Sequence, residues 1–269
     1  MDTRPIGVFD SGLGGLTTVK KLIEFMPGED IIYLGDTGRV PYGSRSRETI
    51  IKYARQDAAF LAGFGIKAMV IACNTVSSSA FEILDNEYDM PVFEAISVPA
   101  KKAASLTENG KIGVIGTTAT IRSGAYEAAL KKEKPGAQVF SVACPLFVAL
   151  AENGRTQAGD IAALTIAEDY LAELIEAGID TLIMGCTHYP LLRDVIAKVM
   201  GTGVSLVDSG AETARLVAKD LRARGLLSDY GATGTIRYYV TDSTDGFSEL
   251  ASRFLESSIH GMVEQVTIG

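Results

Sequence analysis

The sequence predicts an α/β protein made of two similar halves, each a parallel sheet covered by helices on both faces. Three observations carry this. Short apolar runs alternate with longer helix-period stretches; the runs are continuously apolar rather than alternating; and a block near residue 73 recurs near residue 186. Continuous apolar strands between helices are the pattern of βαβ units buried on both sides.

The elements follow in order. Residues 6–9 (Ile-Gly-Val-Phe), 31–34, 68–72, 91–93, 111–115, 138–142, 181–184 and 204–207 read as buried strands. Each is short, aliphatic or β-branched, and bounded by Gly, Asp, Asn, Thr or Pro. Between them, Ile51, Ala54, Ala58 and Leu61 share one helical face, as do Ile161, Leu164, Ala167, Leu171 and Leu174. Gly178 stands where a helix-terminating glycine belongs. Beyond about residue 207 lies a tail with a further strand at 235–240 and a helix near 246–257.

The recurrence is specific. Ile71-Ala-Cys-Asn-Thr75 resembles Met184-Gly-Cys-Thr-His188, and Gly7-Val-Phe-Asp-Ser-Gly12 resembles Gly113-Val-Ile-Gly-Thr-Thr118. Cys73 follows Gly7 by 66 residues, and Cys186 follows Gly113 by 73. Two halves of one design would each set a cysteine at the carboxyl end of a strand, where open parallel sheets bind ligands.

Composition narrows the function. The 269 residues carry a net charge of −8 and no basic run, which argues against a nucleic-acid partner. No apolar stretch approaches a membrane span, and residues 1–5 lack a signal-peptide core, so we expect a cytoplasmic protein without membrane contact. Three widely spaced cysteines make neither a disulfide framework nor a zinc ligand set, so no metal is expected.

Candidate chemistry gathers at four strand ends: Asp10-Ser11, Asp36-Thr37, Cys73-Asn74-Thr75 and Cys186-Thr187-His188. A free cysteine is often only a small buried hydrophobe. Here both precede a helix start, where amides and the helix dipole lower a thiol's pKa. Cys144 has no counterpart in the repeat and reads as structural. A remote thiol pair fits disulfide redox, Cys186–His188 nucleophilic hydrolysis, or proton transfer on two faces of one carbon. Asp10 reads equally as a helix cap or as a carboxylate helping a nearby thiol or a substrate ammonium. The Gly-rich turn 11–15 lacks nucleotide-loop spacing, but its amides suit a carboxylate. His188 reads as a cap or a proton carrier, and His260 as a surface or packing residue. A two-lobed amino-acid binding protein without catalysis fits the same architecture.

These blocks, with Tyr33-Leu-Gly-Asp-Thr-Gly-Arg-Val-Pro-Tyr-Gly43 and Gly185-Cys-Thr-His-Tyr-Pro190, resemble the glutamate racemases of the aspartate/glutamate racemase family. The resemblance runs from residue 6 to about 216, and the histidine after Gly-Cys-Thr points to the glutamate branch. It implies two flavodoxin-like parallel-sheet domains related by pseudo-symmetry with the site between them: residues 1–97 plus 207–269, and residues 98–206. It also implies cofactor-independent interconversion of L- and D-glutamate by two cysteines, supplying D-glutamate for peptidoglycan, in a homodimer. Cys73, helped by Asp10, would serve D-glutamate; Cys186, helped by His188 and Glu152, would serve L-glutamate. Substrate contacts would come from Asp10, Ser11, Pro41, Tyr42, Gly43, Asn74, Thr75, Thr117, Thr120, Thr187 and His188. One departure is Ala149, where the family pattern has proline.

Overall fold

The computed structural model describes residues 1–228, 233–256, 259 and 263–269. The first half runs β1 (Ile6–Asp10), α1 (Leu16–Phe25), β2 (Ile31–Gly35), α2 (Arg47–Ala62), β3 (Ala68–Ile71), α3 (Asn74–Glu87) and β4 (Val92–Phe93). After α4 (Ser97–Leu106) come β5 (Lys111–Gly116), α5 (Thr118–Arg122), α6 (Ala125–Glu133), β6 (Gln138–Ala143), α7 (Leu146–Glu152), α8 (Ile161–Ala177), β7 (Thr181–Gly185), α9 (Arg193–Met200) and β8 (Ser205–Asp208). The chain closes with α10 (Ser209–Ala223), β9 (Ile236–Val240), α11 (Phe247–Leu255) and β10 (Val263–Gln265).

The fold is α/β with two parallel sheets, ordered β10-β9-β2-β1-β3-β4 and β6-β5-β7-β8. Removing the two tail strands from the first leaves the same 2-1-3-4 order in both. The repeat has a packing basis. A Cβ on Gly7 would come within 2.6 Å of Ile66, and one on Gly113 within 2.4 Å of Ile179. Each central strand thus leaves out a side chain so that the isoleucine entering its neighbour can lie flat on the sheet.

Each predicted strand forms within a residue or two. Ala54, Ala58 and Leu61 of α2 are buried, as are Ala167, Leu171 and Leu174 of α8. Gly178 ends α8 at φ 68°, and its N–H donates to the Leu174 and Ile175 carbonyls. Ile161, expected on the buried face, is 79% exposed because it opens the helix before α8 reaches the sheet. β10 was not expected: Val-Glu-Gln is short, exposed and without apolar periodicity. His260, and the predicted helix end at Ser257, lie outside the described residues.

Among the described residues no helix is long and apolar enough to cross a membrane.

Candidate active site

The strand ends of the two sheets face one another across a cavity of about 400 Å³. Cys73 leaves β3 and stands at the N-cap of α3. Cys186 leaves β7, followed by Thr187, His188 and a 3₁₀ turn over Tyr189–Leu192. Both thiols line the cavity, although each residue is only 5% exposed. Ser11, Pro41, Tyr42, Gly43, Asn74, Thr75, Thr117, Glu152, Thr187 and His188 line it too.

Two expected residues stand behind the wall. Asp10 is fully buried; its Oδ1 accepts from the Gly12 N–H at 3.0 Å, and its Oδ2 from the Thr187 hydroxyl at 3.3 Å. It therefore braces the Gly-rich turn against the opposite half. Thr120 is buried beneath Thr75 and Thr117, and their hydroxyl oxygens lie 2.8, 3.0 and 3.3 Å apart. Asp36 does not reach the cleft as its strand-end position implied. The turn after β2 folds back over it, and Arg39, Tyr42 and Thr241 take its oxygens. The Tyr42 hydroxyl accordingly turns to Asp36, while Pro41, Tyr42 and Gly43 still line the cavity.

The thiols have different neighbours. The Cys73 Sγ lies 3.5 Å from the Ser11 hydroxyl. The Cys186 Sγ lies 3.9 Å from His188 Nδ1, and His188 Nε2 lies 3.0 Å from Glu152 Oε1. Glu152, for which the local sequence pattern gave no signal, thus closes a carboxylate–imidazole–thiol chain.

The helix start does not acidify Cys73. Burial, reinforced by the charge of Asp10, pushes its thiol up to about 12, more than the Ser11 and Val76 hydrogen bonds offset. His188 moves the other way from most buried imidazoles. Burial lowers it, but hydrogen bonds to Cys186 and Glu152, with the charges of Cys186 and Asp10, raise it to about 10. These contacts favour the protonated imidazole beside Cys186. Burial also raises Asp10, against the pull of His188 and the Gly12 amide. Cys144 is fully buried among Phe147 and Tyr189, in keeping with a structural role.

The halves touch closely around the cavity. Thr17 Oγ1 donates to the Thr187 carbonyl at 2.8 Å. The Asn74 amide donates to Ser209 Oγ at 3.2 Å and accepts from the Tyr126 hydroxyl at 2.6 Å. A Cβ on Gly14 would lie 2.1 Å from Thr187 Oγ1, and one on Gly43 2.9 Å from Thr117 Cβ. The sequence reading missed Tyr126 and Ser209, which orient Asn74 from elements that carry no motif. It also missed Phe254, whose ring stands edge-on to His188 with centroids 5.3 Å apart.

Residues 16–217 match the family model described as Asp/Glu/hydantoin racemase. The chain belongs to this racemase family. It is therefore an isomerase, and both cavity thiols fall inside the matched region. The racemase is 48% identical over 268 residues to a glutamate racemase of Geobacter metallireducens, covering 100% of this chain and 98% of that one. It is 44% identical to a Neisseria gonorrhoeae glutamate racemase, covering 99% and 97%. A glutamate racemase structure from Francisella tularensis, in complex with D-glutamate, superposes with a TM-score of 0.91 at 40% identity, covering 99% and 98%.

Proposed function

We propose that the protein racemises glutamate without a cofactor, using Cys73 and Cys186 as paired acid and base. One observation carries the reading: two thiols at equivalent strand ends line one small cavity from opposite sheets. Inverting a stereocentre needs a base on one face and an acid on the other, and each direction exchanges the roles.

In the L-to-D direction Cys186 takes the α-proton as a thiolate, and the Cys73 thiol delivers a proton to the other face. The His188 imidazolium, held by Glu152, stabilises negative charge on the Cys186 sulfur. Cys73 is a weak acid, which makes its thiolate a strong base for the return direction. The α-carbanion needs dipoles already aimed at the substrate carboxylate. The Thr75 and Thr117 hydroxyls, the Asn74 amide and the turn of residues 11–15 supply them, with Asp10, Thr120 and the Asp10-bound Thr187 hydroxyl bracing from behind. We extend the proposal to the two-domain division at residues 97 and 207, to closure of these domains over substrate, and to a cytoplasmic homodimer supplying D-glutamate for peptidoglycan.

L-Glutamate incubated with the protein and no added cofactor is expected to lose its optical rotation completely. A folded sample that binds glutamate but leaves rotation intact would refute catalysis. Faster loss with aspartate or a hydantoin would reassign the substrate.

A further inference from the structure

One wall of the cavity, residues 40–44, holds a single 3₁₀ turn over Tyr42–Ser44; beneath it lies a buried polar cluster that the catalytic reading does not use. Asp36 and Asp57 are both fully buried, and one guanidinium, Arg39, serves them. Arg39 Nε donates to Asp36 Oδ2 at 2.6 Å and its Nη2 to Asp57 Oδ1 at 2.8 Å. The guanidinium also stacks 4.3 Å above the ring of Tyr53. The Tyr42 hydroxyl donates to Asp36 Oδ2 and lies 3.2 Å from Asp57 Oδ2. From the tail, Thr241 donates to Asp36 Oδ1 at 2.7 Å and accepts from the Gly38 N–H at 2.8 Å.

We infer that Arg39 and Asp57 are positioning residues that set the 40–44 wall, and with it Gly43 against Thr117, at the distance glutamate binding needs. The inference rests on the racemase reading of this cavity. Asp57 belongs to α2, whose core face is buried, so the wall is tied to the rigid part of the first sheet's cover. Gly43 is where that tie reaches the other half, since the space a Cβ would need is taken by Thr117. A slack wall changes how substrate is held and leaves both thiols in place, so the loss falls on binding.

The cluster has an internal charge rule. A phenol has one proton for two carboxylate oxygens, so the second contact is met when Asp57 itself carries a proton. Burial and the neighbouring Asp36 raise Asp57 well above the usual carboxylate range, although Arg39 pulls it down. An amide at position 57 then keeps the cluster intact: its oxygen accepts from Arg39 and its N–H donates to the Tyr42 oxygen.

The test measures KM and kcat for both enantiomers, and the dissociation constant of D-glutamate by calorimetry. Arg39→Met and Asp57→Leu are expected to raise KM and the dissociation constant about tenfold while kcat stays within about threefold. Asp57→Asn is expected to stay within about twofold of wild type on both. If Arg39→Met does not fold, Tyr42→Phe removes a single hydroxyl and is expected to raise KM about threefold. Unchanged KM in folded Arg39→Met, a fall confined to kcat, or Asp57→Asn as damaged as Asp57→Leu would overturn the inference. Wild-type protein that binds glutamate without racemising it would refute the racemase reading instead, and the calorimetric comparison would still test the wall.

Discussion

Gly14→Ala tests whether the close approach of the two halves builds the site. The new Cβ would meet Thr187 Oγ1 at 2.1 Å and His188 Nδ1 at 2.5 Å, where ordinary contact begins at 3.4 Å. Neither neighbour is a flexible tip: Thr187 is tied to Asp10, and His188 to Glu152. The turn or the opposite strand end must therefore shift by about 1 Å, a displacement that costs on the order of 100-fold in turnover when it moves a reacting group. Overpacking of this kind also costs about 1–3 kcal/mol. In a chain of this size that lowers Tm by roughly 2–4 °C per kcal/mol. Gly136→Ala is the control, because a Cβ there meets open space. Circular-dichroism racemisation assays and thermal melts read both effects. Gly14→Ala with turnover and Tm equal to the control would refute the claim that the site is assembled by this contact.

Cys73→Ala and Cys186→Ala are each expected to abolish racemisation while the far-ultraviolet spectrum and Tm stay near wild type; near-full activity in either variant would remove that thiol from the mechanism. Glu152→Gln strips the negative charge from a hydrogen bond that raises His188, so the alkaline fall of kcat/KM is expected at lower pH than in wild type; an unmoved limb would separate Glu152 from His188. The same group bears on stability, with a fixed sign. Its folded value of about 10 lies above the ordinary 6.5, so its contribution is full below 6.5 and is lost as pH rises through 10. Wild type is thus expected to lose its advantage over His188→Asn across that range in denaturant titrations, and a constant difference would contradict the pairing.

Much of this was legible in the residues. The strands were readable because a sheet covered on both faces needs uninterrupted apolar runs, and the repeat was readable because Gly7 and Gly113 solve the same packing problem in each half. What escaped had physical causes too. A strand-end position implied that Asp36 would face the cleft, but the following turn buries it under Arg39 and Tyr42. The helix start at Cys73 implied an acidic thiol, yet desolvation outweighs the dipole there. Glu152 is brought to His188 by α7, a tertiary event that no local spacing reports. Tyr126 and Phe254 look like ordinary core aromatics in the sequence, and only their partners give them a place near the site.

The central claim, two thiols acting on opposite faces of one carbon, is tested most directly by isotope partition at early turnover. L-Glutamate carrying protium at the α-carbon is given to the enzyme in deuterated water, and both enantiomers are separated before equilibrium. Two distinct bases require that the D-glutamate formed carries deuterium while the remaining L-glutamate keeps its protium. Protium retained in the product, or deuterium appearing in L-glutamate as fast as in D-glutamate, would mean one base serves both faces and would contradict the paired-thiol account.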